Sequence, residues 1–226
     1  MKKHRVIAID GPAASGKSTT AKLLATRLGF IYLDTGAMYR TVTLAALERG
    51  IDIRNEIAVG RLAGEIKIDF IPTEDGNRVI LDGRDITNEI RTPAVDAAVS
   101  PVSSYKIVRE KMVALQKEFA RRGDVVAEGR DMATVVFPDA DLKIFLVADL
   151  ETRAIRRCRQ LDSPGLKTTI EDQMASLSSR DLFDSERENS PLKKDPEAVV
   201  LDTSGMSINE QVERALELVS ERLGIE

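Results

Sequence analysis

The chain has 226 residues, with 33 Lys and Arg against 37 Asp and Glu, a formal charge of −4 and a pI near 5.3. A 42% hydrophobic fraction can fill a core and excludes global disorder, while the mild acidity excludes a general attraction to nucleic acid or anionic lipid, so an anionic ligand must be met by a local cluster. One cysteine (Cys158) and one histidine (His4) exclude an internal disulfide and an HExxH zinc site, and no run approaches the ~18 apolar residues of a membrane span.

The opening Met1-Lys2-Lys3-His4-Arg5 imitates a secretory leader, but Asp10 ends the apolar run Val6–Ile9, well short of the ~7–15 residues such a leader needs. The chain therefore reads as cytoplasmic. Val6–Ile9 has the continuous hydrophobicity of a parallel strand covered on both faces. Next comes Gly11-Pro12-Ala13-Ala14-Ser15-Gly16-Lys17-Ser18, the pattern G-x-x-x-x-G-K-[ST], which opens a helix expected over Lys17–Leu28. The glycines let backbone N–H groups turn inward onto phosphate oxygens, and the helix adds its positive end. Lys17 is expected as a surface-loop charge for the β- and γ-phosphates, and the Ser18 hydroxyl is placed to bind Mg²⁺. This is a nucleoside triphosphate site.

Further along, a strand over Phe30–Leu33 runs into Asp34-Thr35-Gly36-Ala37-Met38-Tyr39-Arg40, with a helix expected over Ala37–Arg49. Lys67–Pro72 and Arg78–Asp82 flank Thr73-Glu74-Asp75-Gly76-Asn77, a hairpin signal. Gly83-Arg84-Asp85 and Ile86 open another extended stretch. An antiparallel unit here predicts an inserted subdomain over 65–92, the alternative being an edge hairpin of the main sheet. A helix over Lys106–Arg121 precedes the strand Val125–Ala127, which ends in Glu128-Gly129-Arg130-Asp131. After the strand Leu142–Val147, the helix Leu150–Leu161 carries Arg153, Arg156, Arg157 and Arg159 and leads into Leu161-Asp162-Ser163-Pro164-Gly165. Such a helix and loop suit a lid (153–167) that excludes water; a solvated helix face is the alternative. On the next helix, Thr168–Arg187, the i, i+4, i+7 row Arg180, Asp184, Arg187 is either a salt-bridged surface or faces substrate. The strand Val199–Leu201, ending in Asp202-Thr203-Ser204, and the helix Ile208–Leu223 complete the chain. The alternation predicts a doubly wound α/β fold, a five-stranded parallel sheet with helices on both faces, in a core of 1–64 and 93–226.

Ligands of such sheets bind at the carboxyl ends of the strands. Arg40 and Arg130 then face the phosphate cradle from two strand ends, and guanidinium forks suit a second phosphate-bearing molecule. The pattern implies transfer between two phosphate carriers rather than a timed hydrolytic switch. No asparagine is followed by lysine, so the guanine reader of GTPases is missing, and Asp202-Thr203-Ser204-Gly205 lies too late for a switch element. Little length remains for the partner-binding segments of a motor or transporter ATPase.

Taken together, GPAASGKST (Gly11–Thr19), DTGAMYR (Asp34–Arg40), EGRDMATVVFPD (Glu128–Asp139) and RDLFDSERENSPL (Arg180–Leu192) resemble bacterial cytidylate kinase, a P-loop nucleoside monophosphate kinase. The likeness runs in order along essentially the whole chain. It implies transfer of the ATP γ-phosphoryl to CMP or dCMP, with Mg²⁺, in pyrimidine nucleotide metabolism. By motif, Gly11, Pro12, Ala13, Ala14, Ser15, Gly16, Lys17, Ser18 and Thr19 would hold ATP with the lid arginines Arg153 and Arg157, and Ser18 the metal. Lys17, Arg40 and Arg130 would be catalytic, the two arginines gripping the CMP phosphate. Thr35, Arg109, Asp131 and Arg187 would surround the cytosine, and Ser100, Arg180 and Asp184 would meet the ribose. Ala133 stands where a glycine is expected. The reading is of a monomer with small-molecule substrates and no nucleic-acid or membrane partner. The rivals are another small P-loop kinase, acting on a metabolite such as shikimate, and a nucleotide-dependent binding module that hydrolyses ATP slowly.

Overall fold

The computed structural model describes residues 4–73, 76–161 and 168–225. The strands of the main sheet are β1 (Val6–Asp10), β2 (Ile31–Asp34), β6 (Val125–Gly129), β7 (Leu142–Val147) and β8 (Val199–Asp202). They are parallel and ordered β2-β6-β1-β7-β8. Alternation along β1 divides the core. Ile7 and Ile9 pack on one face with Ala21, Leu24, Leu218 and Val219, from α1 (Lys17–Leu28) and α8 (Ile208–Leu223). Ala8 faces the other way, toward residues of α2 (Thr35–Glu48), α3 (Glu56–Glu65), α4 (Pro93–Ser104) and α5 (Lys106–Phe119). Ile7, Ala8 and Ile9 are fully buried, as a central parallel strand requires. The chain is completed by α6 (Leu150–Leu161) and α7 (Ile170–Glu186).

The antiparallel unit comprises β3 (Ile68–Thr73), β4 (Gly76–Leu81) and β5 (Arg84–Asp85), in a sheet of its own. This decides against an edge hairpin of the main sheet. Ile68, Val79, Leu81, Ile86 and Ile90 join the same hydrophobic cluster as Leu33 and Val42 of the core. At the tip, Asn77 Nδ2 donates to the main-chain oxygen of Tyr32 on β2 (2.8 Å), a side-chain contact rather than a ladder. Glu74 and Asp75 of the expected turn, Asp162-Ser163-Pro164-Gly165 and the rest of 162–167 in the expected lid, and Met1-Lys2-Lys3 lie outside the described residues.

Three helices depart from the sequence expectation. α3 is capped by Asn55, whose side chain accepts from Ala58 N, and its Gly60 leaves no room for a side chain against Ile107 of α5. α4 replaces the extended stretch expected after Ile86: a 3₁₀ turn over Glu89–Arg91 leads to Pro93 at the helix start, where its missing N–H costs nothing. α2 begins two residues earlier than expected, because the Asp34 side chain accepts from Ala37 N (2.9 Å) and caps it.

Candidate active site

The phosphate loop joins β1 to α1. Gly11 has φ 149°, and a Cβ there would lie 2.1 Å from the Leu146 oxygen, so no other residue fits. Ala14 takes the left-handed conformation, φ 59°. Ser15 is buried, and its carbonyl accepts from Arg156 Nη1 (3.2 Å) and Thr203 Oγ1 (2.9 Å). Lys17 is not the surface charge the sequence suggested. It is 4% exposed, and its Nζ donates to the Pro12 oxygen (2.6 Å) across the loop. Burial, then the neighbouring Arg130, push its pKa down to about 7 against the pull of Glu128 and Asp10.

Ser18, at the second position of α1, has its hydroxyl beside the carboxyl of Glu128. Glu128 was not singled out from the sequence, although a carboxylate closing an otherwise apolar strand beside the P-loop strand is a signal. It stands opposite Asp34 in register, accepts from Tyr32 OH (3.2 Å), and is raised in pKa by burial and by Asp34. Among the described residues no cluster of three His, Cys, Asp or Glu could hold a metal alone. A serine hydroxyl beside a carboxylate nevertheless fits Mg²⁺, which keeps waters and substrate phosphates among its ligands.

The sequence-selected arginines Arg40, Arg109, Arg130, Arg153, Arg157 and Arg187 are paired with carboxylates. Arg130 Nε donates to Asp184 Oδ2 (2.9 Å), and Arg187 lies 3.8 Å from Asp184 Oδ1. Arg109, over the face of Tyr39 (5.3 Å), donates to Asp131 Oδ2 and to the Ser103 oxygen (3.1 Å). Among the described residues no donor reaches Asp131 Oδ1. Arg40 bonds Ile90 O (2.9 Å) and Asp96, whose second oxygen accepts from Arg157 (2.8 Å). Ser100 follows Asp96 by one turn of α4. The row Arg180, Asp184, Arg187 therefore faces inward. Burial opposes ionisation of Asp184, but Arg130, Arg180 and Arg187 outweigh it and hold its pKa below the ordinary range. Burial, then Arg130, push Arg180 down to about 10.

Thr35 and Arg153 each bond a main-chain carbonyl. The Thr35 hydroxyl donates to the Glu128 carbonyl (2.6 Å), tying α2 to β6, and Gly129 leaves room for it. Arg153 and Arg157, four apart on α6, part company. Arg157 points to Asp96, whereas Arg153 is buried behind the phosphate loop, bonding Ala13 O (3.2 Å), Ala148 O (3.1 Å) and Asp181. Arg156 binds Thr203 O (2.6 Å), leaving Arg159 exposed. The arginine helix is thus no uniformly solvated face. Ala133 has no positive φ, so its Cβ introduces no backbone strain where a glycine was expected. Asp10, also missed, accepts from the N–H groups of Met132 and Ala133.

What the arrangement can do follows from its unspent donors. The Nε of Arg109, the Nε of Arg180 and the Nη2 of Arg187 are buried and meet no acceptor among the described residues. Buried donors call for partners; Arg180 stands with Arg130 near Lys17, and Arg187 links Arg109 to Asp184. The cluster suits an anionic, oxygen-rich molecule next to a triphosphate.

The family model described as cytidylate kinase matches residues 7–221. The chain is 46% identical over 224 residues to a cytidylate kinase of Geobacillus thermodenitrificans, covering 99% of this chain and 100% of that one. It is 47% identical over 220 residues to a cytidylate kinase of Bacillus cereus, covering 97% and 98%. Among solved structures, a shikimate kinase from Bacteroides thetaiotaomicron aligns over 98% of this chain and 99% of its own, with a TM-score of 0.50 at 13% identity. That likeness concerns the fold alone.

Proposed function

The chain belongs to the cytidylate kinase family, and we propose that its phosphate loop holds ATP while the arginine–carboxylate cluster holds CMP or dCMP, yielding CDP or dCDP. The observation that carries this reading is the set of buried guanidinium donors of Arg109, Arg180 and Arg187 that meet no acceptor among the described residues, with Arg180 close enough to Lys17 of the phosphate loop to depress its pKa. Gly11–Thr19 wrap the donor phosphates. Arg40 and Arg130 grip the acceptor phosphate and, with Lys17, offset the charge that spreads over the moving phosphoryl group. Arg157 reaches the donor from the lid side. The geometry favours a buttressing role for Arg153, bonded to the loop carbonyl of Ala13. Ser18 and Glu128 would hold Mg²⁺, which when bound neutralises donor phosphate charge.

Asp131 Oδ1 accepts from the cytosine amine while Arg109 steadies its other oxygen, with Thr35 and Arg187 on the remaining edge of the base. Ser100, Arg180 and Asp184 meet the ribose. No general base is required, because the attacking oxygen already belongs to a phosphate anion. Residues 65–92 serve as the acceptor-side insert, supported by the bond from Arg40 to Ile90 O. The reading is of a monomer. The sole cysteine supports a cytoplasmic setting, within pyrimidine nucleotide metabolism.

An acceptor panel tests the reading. With ATP and Mg²⁺, ADP release should require CMP or dCMP and be weak with UMP, AMP and shikimate. Equal turnover on shikimate or AMP, or ATP hydrolysis indifferent to every acceptor, would refute it.

A further inference from the structure

Asp10 closes β1 immediately before Gly11, the first residue of the phosphate loop, and is 1% exposed. Its two oxygens accept from Met132 N and Ala133 N, each at 2.8 Å. Those two N–H groups open a π-helical turn over Met132–Val136, where the first N–H groups have no partner within the turn. Arg130 and Asp131 lie directly before it. The same turn is closed from within, as Val135 N and Val136 N donate to the Asp131 oxygen (2.9 and 3.1 Å). The turn is held by its buried Met132, Ala133 and Val136 and, through its first two amides, by Asp10 on the neighbouring strand, where Asp10 pairs with Gly129 in register.

Only a carboxylate can do this with both oxygens. An asparagine would accept from one N–H and aim its own N–H₂ at the other. Keeping a carboxylate buried is costly, and burial raises its pKa to about 6 in spite of the two N–H bonds. With both oxygens accepting from these amides, Asp10 is spent on the turn.

We propose that Asp10 is a positioning residue for acceptor selection: it locks the turn bearing Arg130 and Asp131 to the strand that bears the phosphate loop. Base and acceptor phosphate are thereby held in register with the donor. The proposal rests on the reading of Arg130 and Asp131 as acceptor ligands.

Asp10→Asn tests it. With one anchoring bond replaced by a repulsion, KM for CMP should rise roughly tenfold or more, the scale of one charged hydrogen bond. KM for ATP should stay within about twofold, since the phosphate loop keeps its own bonds, and the kcat/KM ratio of CMP over UMP should shrink by several fold as Asp131 loses its placing. Assays run well below the variant's melting temperature, and if the asparagine variant does not fold, Asp10→Ser is judged by the same criteria. A folded variant in which both KM values move together, or in which the CMP/UMP ratio holds, would make Asp10 a scaffold residue and overturn the proposal. Wild-type enzyme inactive on CMP in the same assay would instead overturn the reading on which it rests.

Discussion

Replacing Asp131 with Asn should turn the cytosine preference of the site around. In the native arrangement Oδ2 is committed to Arg109, so Oδ1 is the oxygen left to face a base. Cytosine presents an amino donor at C4 and uracil a carbonyl acceptor. The asparagine variant keeps its carbonyl toward Arg109, the stronger local donor, and therefore offers an N–H₂ where Oδ1 stood. For CMP this exchanges a charge-assisted hydrogen bond, about 1.5–3 kcal/mol, for two donors face to face. A total of roughly 2–4 kcal/mol corresponds to a fall of about 30- to 1000-fold in kcat/KM. UMP, whose O4 now meets a donor, should fall far less or gain. The assay is ADP release at saturating ATP with varied CMP or UMP. Losing the charge opposite a buried arginine also lowers stability, so turnover must be read well below the variant's melting temperature. If CMP and UMP decline in equal proportion in a folded variant, Asp131 merely steadies Arg109 and the base-reading argument fails.

Lys17→Met should reduce kcat on the order of 10³-fold or more, and because Lys17 is buried and its charged form disfavoured, the variant should melt no lower than wild type at pH 7; near-normal turnover, or a clear drop in melting temperature, contradicts this. Asp184→Asn should cost about 2 kcal/mol at pH 7 through the bond from Arg130. Since the native carboxyl titrates below the ordinary aspartate value of 3.8, its contribution is complete above that value and lost as pH falls through the lower folded one. Melting curves of wild type and variant should therefore run a constant distance apart from pH 7 to 5 and converge below pH 4; a gap that persists into acid would refute the assignment.

The phosphate loop could be read from spacing because its chemistry is local: two glycines, a lysine and a serine act within one turn of chain. The strand ends could be read because apolar runs stop abruptly at charged residues. α3 and α4 could not, since Gly60, Gly64, Pro93 and Pro101 look like breakers until Ile107 is seen to need the space at Gly60 and Pro93 is seen to begin a helix. Asp10, Asp96 and Glu128 were missed for a different reason. Each works through a partner far along the chain, brought near by strand register or by helix packing. Arg153 and Arg157 show the limit of helical spacing: four residues apart on one helix, they end on different carboxylates, because one is drawn under the phosphate loop and the other toward α4.

The single bond from Asn77 to the Tyr32 carbonyl has a consequence for how the molecule avoids sticking to itself. β2 and β8 are the two outer strands of the main sheet, and an outer strand is a template for pairing with another chain. At β2 the hairpin tip occupies an outward carbonyl without adding a strand, so the sheet is shielded there but not extended. β8 is four residues long, with Val199 and Val200 substantially exposed. Excising the hairpin would therefore remove more than a small antiparallel sheet: both flanks of the main sheet would lie open, and aggregation rather than loss of turnover would be the first symptom.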